Sequence, residues 1–296
     1  MKVLLVYNSH AGHGFAGKIL QQVETTFNKN SIEFDIQFTN YPGHGIEIVK
    51  NADLSKYDGI VAAGGDGTLF EVINGYFQNP SEIKIPIGVL PVGTGNAFAR
   101  DLELDNTLWK SAIKIIGKQN TRKVDVGKFH THGQDYYYLN ILGLGFVADV
   151  TKIARSLKVF GNIAYTFGVL FRTLFLSSER MIFEIDGQKF EHDCTFVEIS
   201  NTRYTANFLM APNAVIDDGL LDVTIAKKLS RIRLIKSFPK IFTGEHVNLP
   251  EIETFQAKSI KIKSESPKIL SPDGELIGIT PVKIECLPQA IEIFWK

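Results

Sequence analysis

The sequence predicts an α/β domain followed by a β-rich domain, and three observations carry that reading. Short apolar runs alternate with helical patterns through the first part of the chain. Glycine-rich loops follow successive early runs. Near Val124 the rhythm changes to short strands and turns.

The elements justify themselves in order. Val3–Tyr7 is continuously apolar, as expected for a strand covered on both faces. The turn His10-Ala11-Gly12-His13-Gly14 follows, and Phe15, Ile19, Leu20, Val23 and Phe27 then mark one helical face. Phe34, Ile36 and Phe38 alternate with polar residues and predict a strand. Ile60–Ala63 predicts a buried strand, with glycines and an apolar helix behind it. Ile85–Leu90 repeats the theme into Val92-Gly93-Thr94-Gly95-Asn96 and another helix. This succession predicts a largely parallel sheet. Beyond Val124, strands are expected over 136–142, 181–185, 194–200, 220–226, 260–263 and 282–286, with Asp186-Gly187 as a hairpin turn. A sandwich or open barrel is expected there. No internal repeat or low-complexity tract interrupts the chain.

Composition bounds the function. The chain has 296 residues, 44% of them apolar, enough for two ordinary domains. Lys plus Arg balances Asp plus Glu at 32 each, so no net charge draws the protein to nucleic acid or to an anionic membrane. Contact with a membrane is expected to be local, apolar and transient. Cys194 and Cys286 lack metal spacing and read as thiols of a reduced, cytoplasmic protein, with a single disulfide left open. The first apolar run is too short for a signal peptide. Phe160–Leu176 is strongly apolar but is interrupted by Gly161, Asn162, Gly168 and Arg172. It is expected to pack within the protein, since a membrane span needs about 20 apolar residues.

The sharpest chemical signal is Gly64-Gly65-Asp66-Gly67-Thr68, between a buried strand and a helix whose first turns hold Glu71. Glycines let backbone approach a phosphate closely, and loop N–H groups at a helix start accept negative charge. An acid inside such a loop points to Mg²⁺ between carboxylate and phosphates, although a βα turn capped by Asp fits the same residues. The loops at Asn8–Gly14 and at Pro91–Asn96 end two other strands, and strand C-termini are where open α/β sheets bind ligands. Far downstream, Pro272-Asp273-Gly274-Glu275 reads by itself as a turn. His10 and His13 read as exposed loop histidines. Arg100 steadies either the phosphate loop or a surface ion pair.

Taken in this order, the motifs resemble the diacylglycerol kinase catalytic-domain family, which includes bacterial lipid kinases, sphingosine kinases and ceramide kinases. The resemblance covers nearly the whole chain. It rests on Gly64–Thr68, Leu90–Leu102, Val124–Gly127, Asn140–Phe146, Ala211–Asn213 with Asp217–Val223, and Asp273–Glu275. It implies a nucleotide-binding α/β domain like that of phosphofructokinases and NAD kinases over 1–125, rejoined by the tail 288–296. A β-sandwich-like lipid domain over 126–287 is implied with it, the active site lying in the cleft between the two. It implies ATP contacts at Asn8, Thr39, Gly64, Gly65, Asp66, Gly67, Thr68, Glu71, Gly93, Thr94 and Asn96. Asp66 and Asp125 would organise Mg²⁺. Asp218, with the carbonyls of Val215 and Leu220, would hold a structural Mg²⁺, and adjacent Asp217 competes for that role. Asp273 would be the general base, aided by Glu275. The implied reaction moves the γ-phosphoryl of ATP to a lipid hydroxyl at a membrane surface, diacylglycerol first among acceptors. Asn8-Ser9 departs from the family's Asn-Pro. A nicotinamide dinucleotide kinase is the nearest rival, but its Asn-Glu and Thr-Gly-Ser-Thr blocks are missing. A non-catalytic lipid-binding protein would not need the intact set of acids. A homodimer is compatible with the sequence, which does not fix the oligomeric state.

Overall fold

The computed structural model describes residues 1–156, 176–205 and 208–296. The expectation placed on Phe160–Leu176 falls outside these residues except at Leu176. The chain forms two units, 1–124 with 289–296, and 125–288.

In the first unit β1 (Lys2–Tyr7) pairs in parallel with β2 (Glu33–Phe38) on one side and β3 (Gly59–Gly64) on the other. Leu5 thereby stands opposite both Ile36 and Val61. β3 pairs in parallel with β4 (Ile87–Pro91). Beyond Lys2, central β1 is apolar, as is β3, because both strands are buried on both faces, whereas edge strand β2 alternates. Helix α1 (Phe15–Lys29) buries Ala16, Ile19, Val23 and Phe27, a repeat of three and four residues. α2 (His44–Lys50), which the sequence pattern did not single out, is too short to show a period. α3 (Asp66–Gln78) starts directly after β3, and α4 (Ala97–Asp101) follows β4. α5 (Trp109–Lys118), also not singled out, buries Trp109, Ala112, Ile113 and Ile116.

The second unit is mostly antiparallel. Its strands begin with β5 (Thr121–Thr131), β6 (Gln134–Tyr138) and β7 (Ile141–Gly145). After α6 (Phe146–Ser156) come β8 (Glu179–Ile185), β9 (Gln188–Ser200), β10 (Tyr204–Thr205) and β11 (Phe208–Leu209). Beyond β12 (Leu221–Lys227) and α7 (Arg231–Ser237) lie β13 (Ile252–Ala257), β14 (Ser259–Ser264), β15 (Leu270–Pro272) and β16 (Val282–Phe294). The β8–β9 hairpin turns on Asp186 and Gly187, with φ of 45° and 86°, the left-handed pair that a tight hairpin needs. β9 is long enough to pair β8 with its first half and β7 with its second, while β12 runs along its other side. The last strand leaves this unit and ends in the first, where Ile293 pairs in parallel with Ile87.

One expected strand is divided. Residues 136–142 form the end of β6, a bend at Leu139-Asn140, and the start of β7. The cause is a long-range contact: the backbone N–H groups of Leu139, Asn140 and Ile141 all donate to the Asp273 carboxylate, which takes them from a continuous ladder.

Candidate active site

Three loops converge in the first unit, and their glycines explain how. A Cβ on Gly93 would lie 2.3 Å from Gly65 Cα, so the β3 and β4 loops touch backbone to backbone. A Cβ on Gly12 would lie 2.6 Å from the Val92 carbonyl, which brings in the β1 loop. Asn96, at φ 52°, locks the β4 loop: Oδ1 accepts the Gly93 N–H at 3.2 Å and Nδ2 donates to the Gly93 carbonyl at 2.8 Å. Asn8 Nδ2 donates to Thr68 Oγ1 at 3.3 Å, tying the first loop to α3. Thr68 in turn crowds Gly64, where a Cβ would meet Oγ1 at 2.1 Å. Asn8, Gly64, Gly65, Gly67, Thr68, Gly93 and Asn96 thus gather at the ends of three parallel strands.

Asp66 occupies the first turn of α3. Its carboxylate accepts N–H groups from Ala97 and, at 3.4 Å, Phe98. Burial pushes its carboxyl above the usual range, against the pull of those N–H groups and the charge of Arg100. A half-buried acid facing glycine loops has the donor chemistry for a Mg²⁺–phosphate complex. Thr94 is exposed at the loop tip, and His10 and His13 are exposed in the first loop. Thr39 is buried and continues the pairing with an N–H donated to the Tyr7 carbonyl. Glu71 Oε1 and Oε2 accept the Gly43 and Gly45 N–H groups at 2.7 and 2.8 Å, fixing the start of α2.

In the second unit Asp125 is fully buried. It clamps the 215–220 loop, its N–H donating to the Ile216 carbonyl at 2.8 Å and its Oδ2 accepting the Gly219 N–H at 2.7 Å. Exposed Asp218 accepts the Leu220 N–H within the same loop, and Asp217 is half-buried. Burial, followed by the charge of Asp218, pushes the Asp222 carboxyl up to about 6. Among the described residues no three His, Cys, Asp or Glu side chains gather around a metal position. A hard cation there would rely on one carboxylate, the Val215 and Leu220 carbonyls and water, a donor set that Mg²⁺ accepts. Cys194 and Cys286 are buried, free thiols, both pushed up to about 12 by burial.

Asp273 and Gly274 adopt φ of 46° and 80°, a left-handed turn. Asp273 is buried, and its three backbone donors lie at 2.9–3.0 Å. Half-buried Glu275 follows, its own N–H donating to the Pro272 carbonyl.

Motif reading missed an apolar pocket in the second unit, walled by Phe146, Val150, Phe196, Phe208, Leu234 and Phe238. Glu198, Thr205 and His246 also line it. Thr205 Oγ1 donates to Glu198 Oε1 at 2.5 Å, and burial pushes the Glu198 carboxyl up to about 7. His246 Nε2 meets the Met210 carbonyl at 3.0 Å, and burial holds its pKa low. A signal was present: Phe196-Val197-Glu198-Ile199 places an acid in a strand apolar on both faces.

Comparison with known proteins fits this arrangement. Residues 2–129 match the family model described as the diacylglycerol kinase catalytic domain, and 140–295 match the YegS C-terminal NAD kinase beta sandwich-like domain. A protein named diacylglycerol kinase from Staphylococcus carnosus (strain TM300) is 30% identical over 98% of this chain and 94% of its own length. One of the same name from Bacillus subtilis (strain 168) is 30% identical with the same coverage. The crystal structure of a diacylglycerol kinase from Bacillus anthracis str. Sterne covers all of this chain and 97% of its own, with TM-score 0.80 and 29% identity. Sphingosine kinase 1 of Arabidopsis thaliana is 26% identical over 100% of the chain and 72% of its own length. Among the described residues no helix is long and apolar enough to cross a membrane. With matching models over both domains and full-length relatives, the chain belongs to the diacylglycerol kinase catalytic-domain family of lipid kinases.

Proposed function

We propose that this protein transfers the γ-phosphoryl group of ATP to the hydroxyl of a membrane lipid, with diacylglycerol the favoured acceptor and phosphatidic acid the product. The observation that carries the donor half is the backbone contact between Gly65 and Gly93, beside Asp66. Side chains are excluded there, so loop N–H groups meet the phosphates directly. Mg²⁺, bound with the nucleotide, would supply charge neutralisation as the γ-phosphoryl leaves.

The residues divide the remaining work. Asn8, Thr68, Gly93 and Asn96 shape the phosphate loops. Glu71 and Thr39 brace the backbone after β2 and line the nucleotide side. Asp66 is the carboxylate for the metal–nucleotide complex. Asp273 takes the acceptor hydroxyl's proton. Its three N–H donors fix the carboxylate's orientation, the kind of positioning on which general-base catalysis depends. Glu275 assists from the same turn. Asp125 and Asp218 shape the 215–220 loop around a structural Mg²⁺. The aromatic-walled pocket takes a lipid chain, its lining being almost wholly apolar. Residence in the cytoplasm with brief visits to the membrane surface fits this assignment.

The test is transfer of labelled γ-phosphate from Mg·ATP to a panel of lipids in mixed micelles. Phosphorylation of diacylglycerol is the expected result. Transfer only to a soluble dinucleotide would keep the donor assignment and overturn the acceptor.

A further inference from the structure

The lipid pocket contains one feature that a hydrocarbon chain does not explain. Glu198 is 1% exposed, yet it faces a cavity walled by phenylalanine and aliphatic side chains. On β9 it stands opposite Gly143 of β7 and Thr224 of β12. Among the described residues its hydrogen bond comes from Thr205, which donates to Oε1. Burying a carboxyl group in apolar surroundings is costly unless its hydrogen-bonding capacity is used, because water no longer satisfies it. An acceptor lipid with a polar group at this depth would use it.

We propose that Glu198 is a specificity-determining residue that seats an ester carbonyl of an acylglycerol, and that the protein therefore selects ester-linked over ether-linked diradylglycerols. The proposal rests on the lipid-kinase reading above. With Oε1 accepting from Thr205, a neutral Glu198 carries its proton on Oε2 and is a hydrogen-bond donor. Its partner must then be an acceptor. An ester carbonyl is a strong one, and an ether oxygen is much weaker. Burial favours that neutral form, raising the carboxyl to about 7.

The experiment compares kcat/KM for 1,2-diacylglycerol and its 1,2-di-O-alkyl analogue, in matched micelles, for wild type, Glu198→Gln and Glu198→Leu. One donated hydrogen bond predicts about a tenfold ester preference in wild type. Glu198→Gln, still a donor, should keep most of it, and Glu198→Leu should bring the ratio close to one. An unchanged ratio in Glu198→Leu would overturn the proposal. A second readout is the shift in melting temperature on adding each lipid without ATP. Wild type should be stabilised more by the ester lipid, and Glu198→Leu equally by both. If wild type phosphorylates neither lipid, the acceptor reading fails. The melting shifts then decide the seat alone: equal shifts in wild type would overturn it.

Discussion

Replacing Asp273 by Asn separates two roles that one carboxylate holds. Oδ1 accepts the Asn140 and Ile141 N–H groups at 2.9 and 3.0 Å, and Oδ2 accepts Leu139 N–H at 3.0 Å. In the Asp273→Asn variant the amide oxygen can keep the first pair, but the new NH₂ group then faces a backbone donor. The loss is one hydrogen bond to a charged acceptor, ~1.5–3 kcal/mol, plus some weakening of the remaining two. A total near 3 kcal/mol is expected, within the ~5–15 kcal/mol stability of an ordinary domain, so the variant should fold. Urea denaturation followed by circular dichroism measures this part. As general base, Asp273 should also contribute ~10²–10⁴ to turnover, with KM for ATP little changed. Single-turnover transfer to lipid under conditions where the variant is folded measures that part. An unchanged denaturation midpoint would refute the anchoring role, and wild-type turnover would refute the base.

Other perturbations probe the remaining parts. Gly93→Ala, whose Cβ would overlap Gly65, should cost ~1–3 kcal/mol and weaken ATP binding, whereas Gly65→Ala, with its nearest atom at 3.4 Å, should be milder; calorimetric titration of ATP compares them. Glu71→Ala leaves the Gly43 and Gly45 N–H groups without their acceptor and should lower stability by ~2–4 kcal/mol, read as a fall in melting temperature, while Glu71→Gln loses less. Raised from 4.5 to about 7, Glu198 stays protonated in the folded protein while it ionises in the unfolded chain. Its neutral form therefore favours folding at low pH, and stability should fall by up to about 3 kcal/mol as pH rises from below 4.5 to above 7. Glu198→Gln should flatten that slope in denaturation curves; His246, the other titratable pocket group, has its pKa lowered by burial and adds stability as pH rises toward its unfolded value, so the Glu198 contribution is read as the difference between wild type and Glu198→Gln. If the 215–220 loop holds Mg²⁺, added Mg²⁺ should raise the melting temperature of wild type and not of Asp218→Ala.

How far the sequence could be read depended on whether a structural feature was local. β1 and β3 were legible because buried parallel strands are apolar throughout, and the Asp186-Gly187 hairpin because a tight turn needs left-handed residues. The glycine loops were legible for the same reason. The split of 136–142 was not, since its cause lies more than 130 residues downstream in Asp273. Glu71 sits beside the loop motif in sequence and is naturally read as part of it. Its side chain accepts hydrogen bonds at the start of a short helix that no periodicity announces.

By itself, the sequence determined an α/β half with three glycine-bearing strand ends, a β-rich half, and the set of acids that marks the family. Those properties follow from backbone freedom at glycine, from strand and helix periods, and from a linear order of motifs, all of which one chain displays directly. Only the tertiary structure decided that Gly93 rests on Gly65, that Asp125 clamps Gly219, and that Glu198 looks into an apolar pocket. Each is a contact between residues far apart in sequence. The energy of such a contact depends on which surfaces are buried together, and that is fixed only when the sheets and helices have packed.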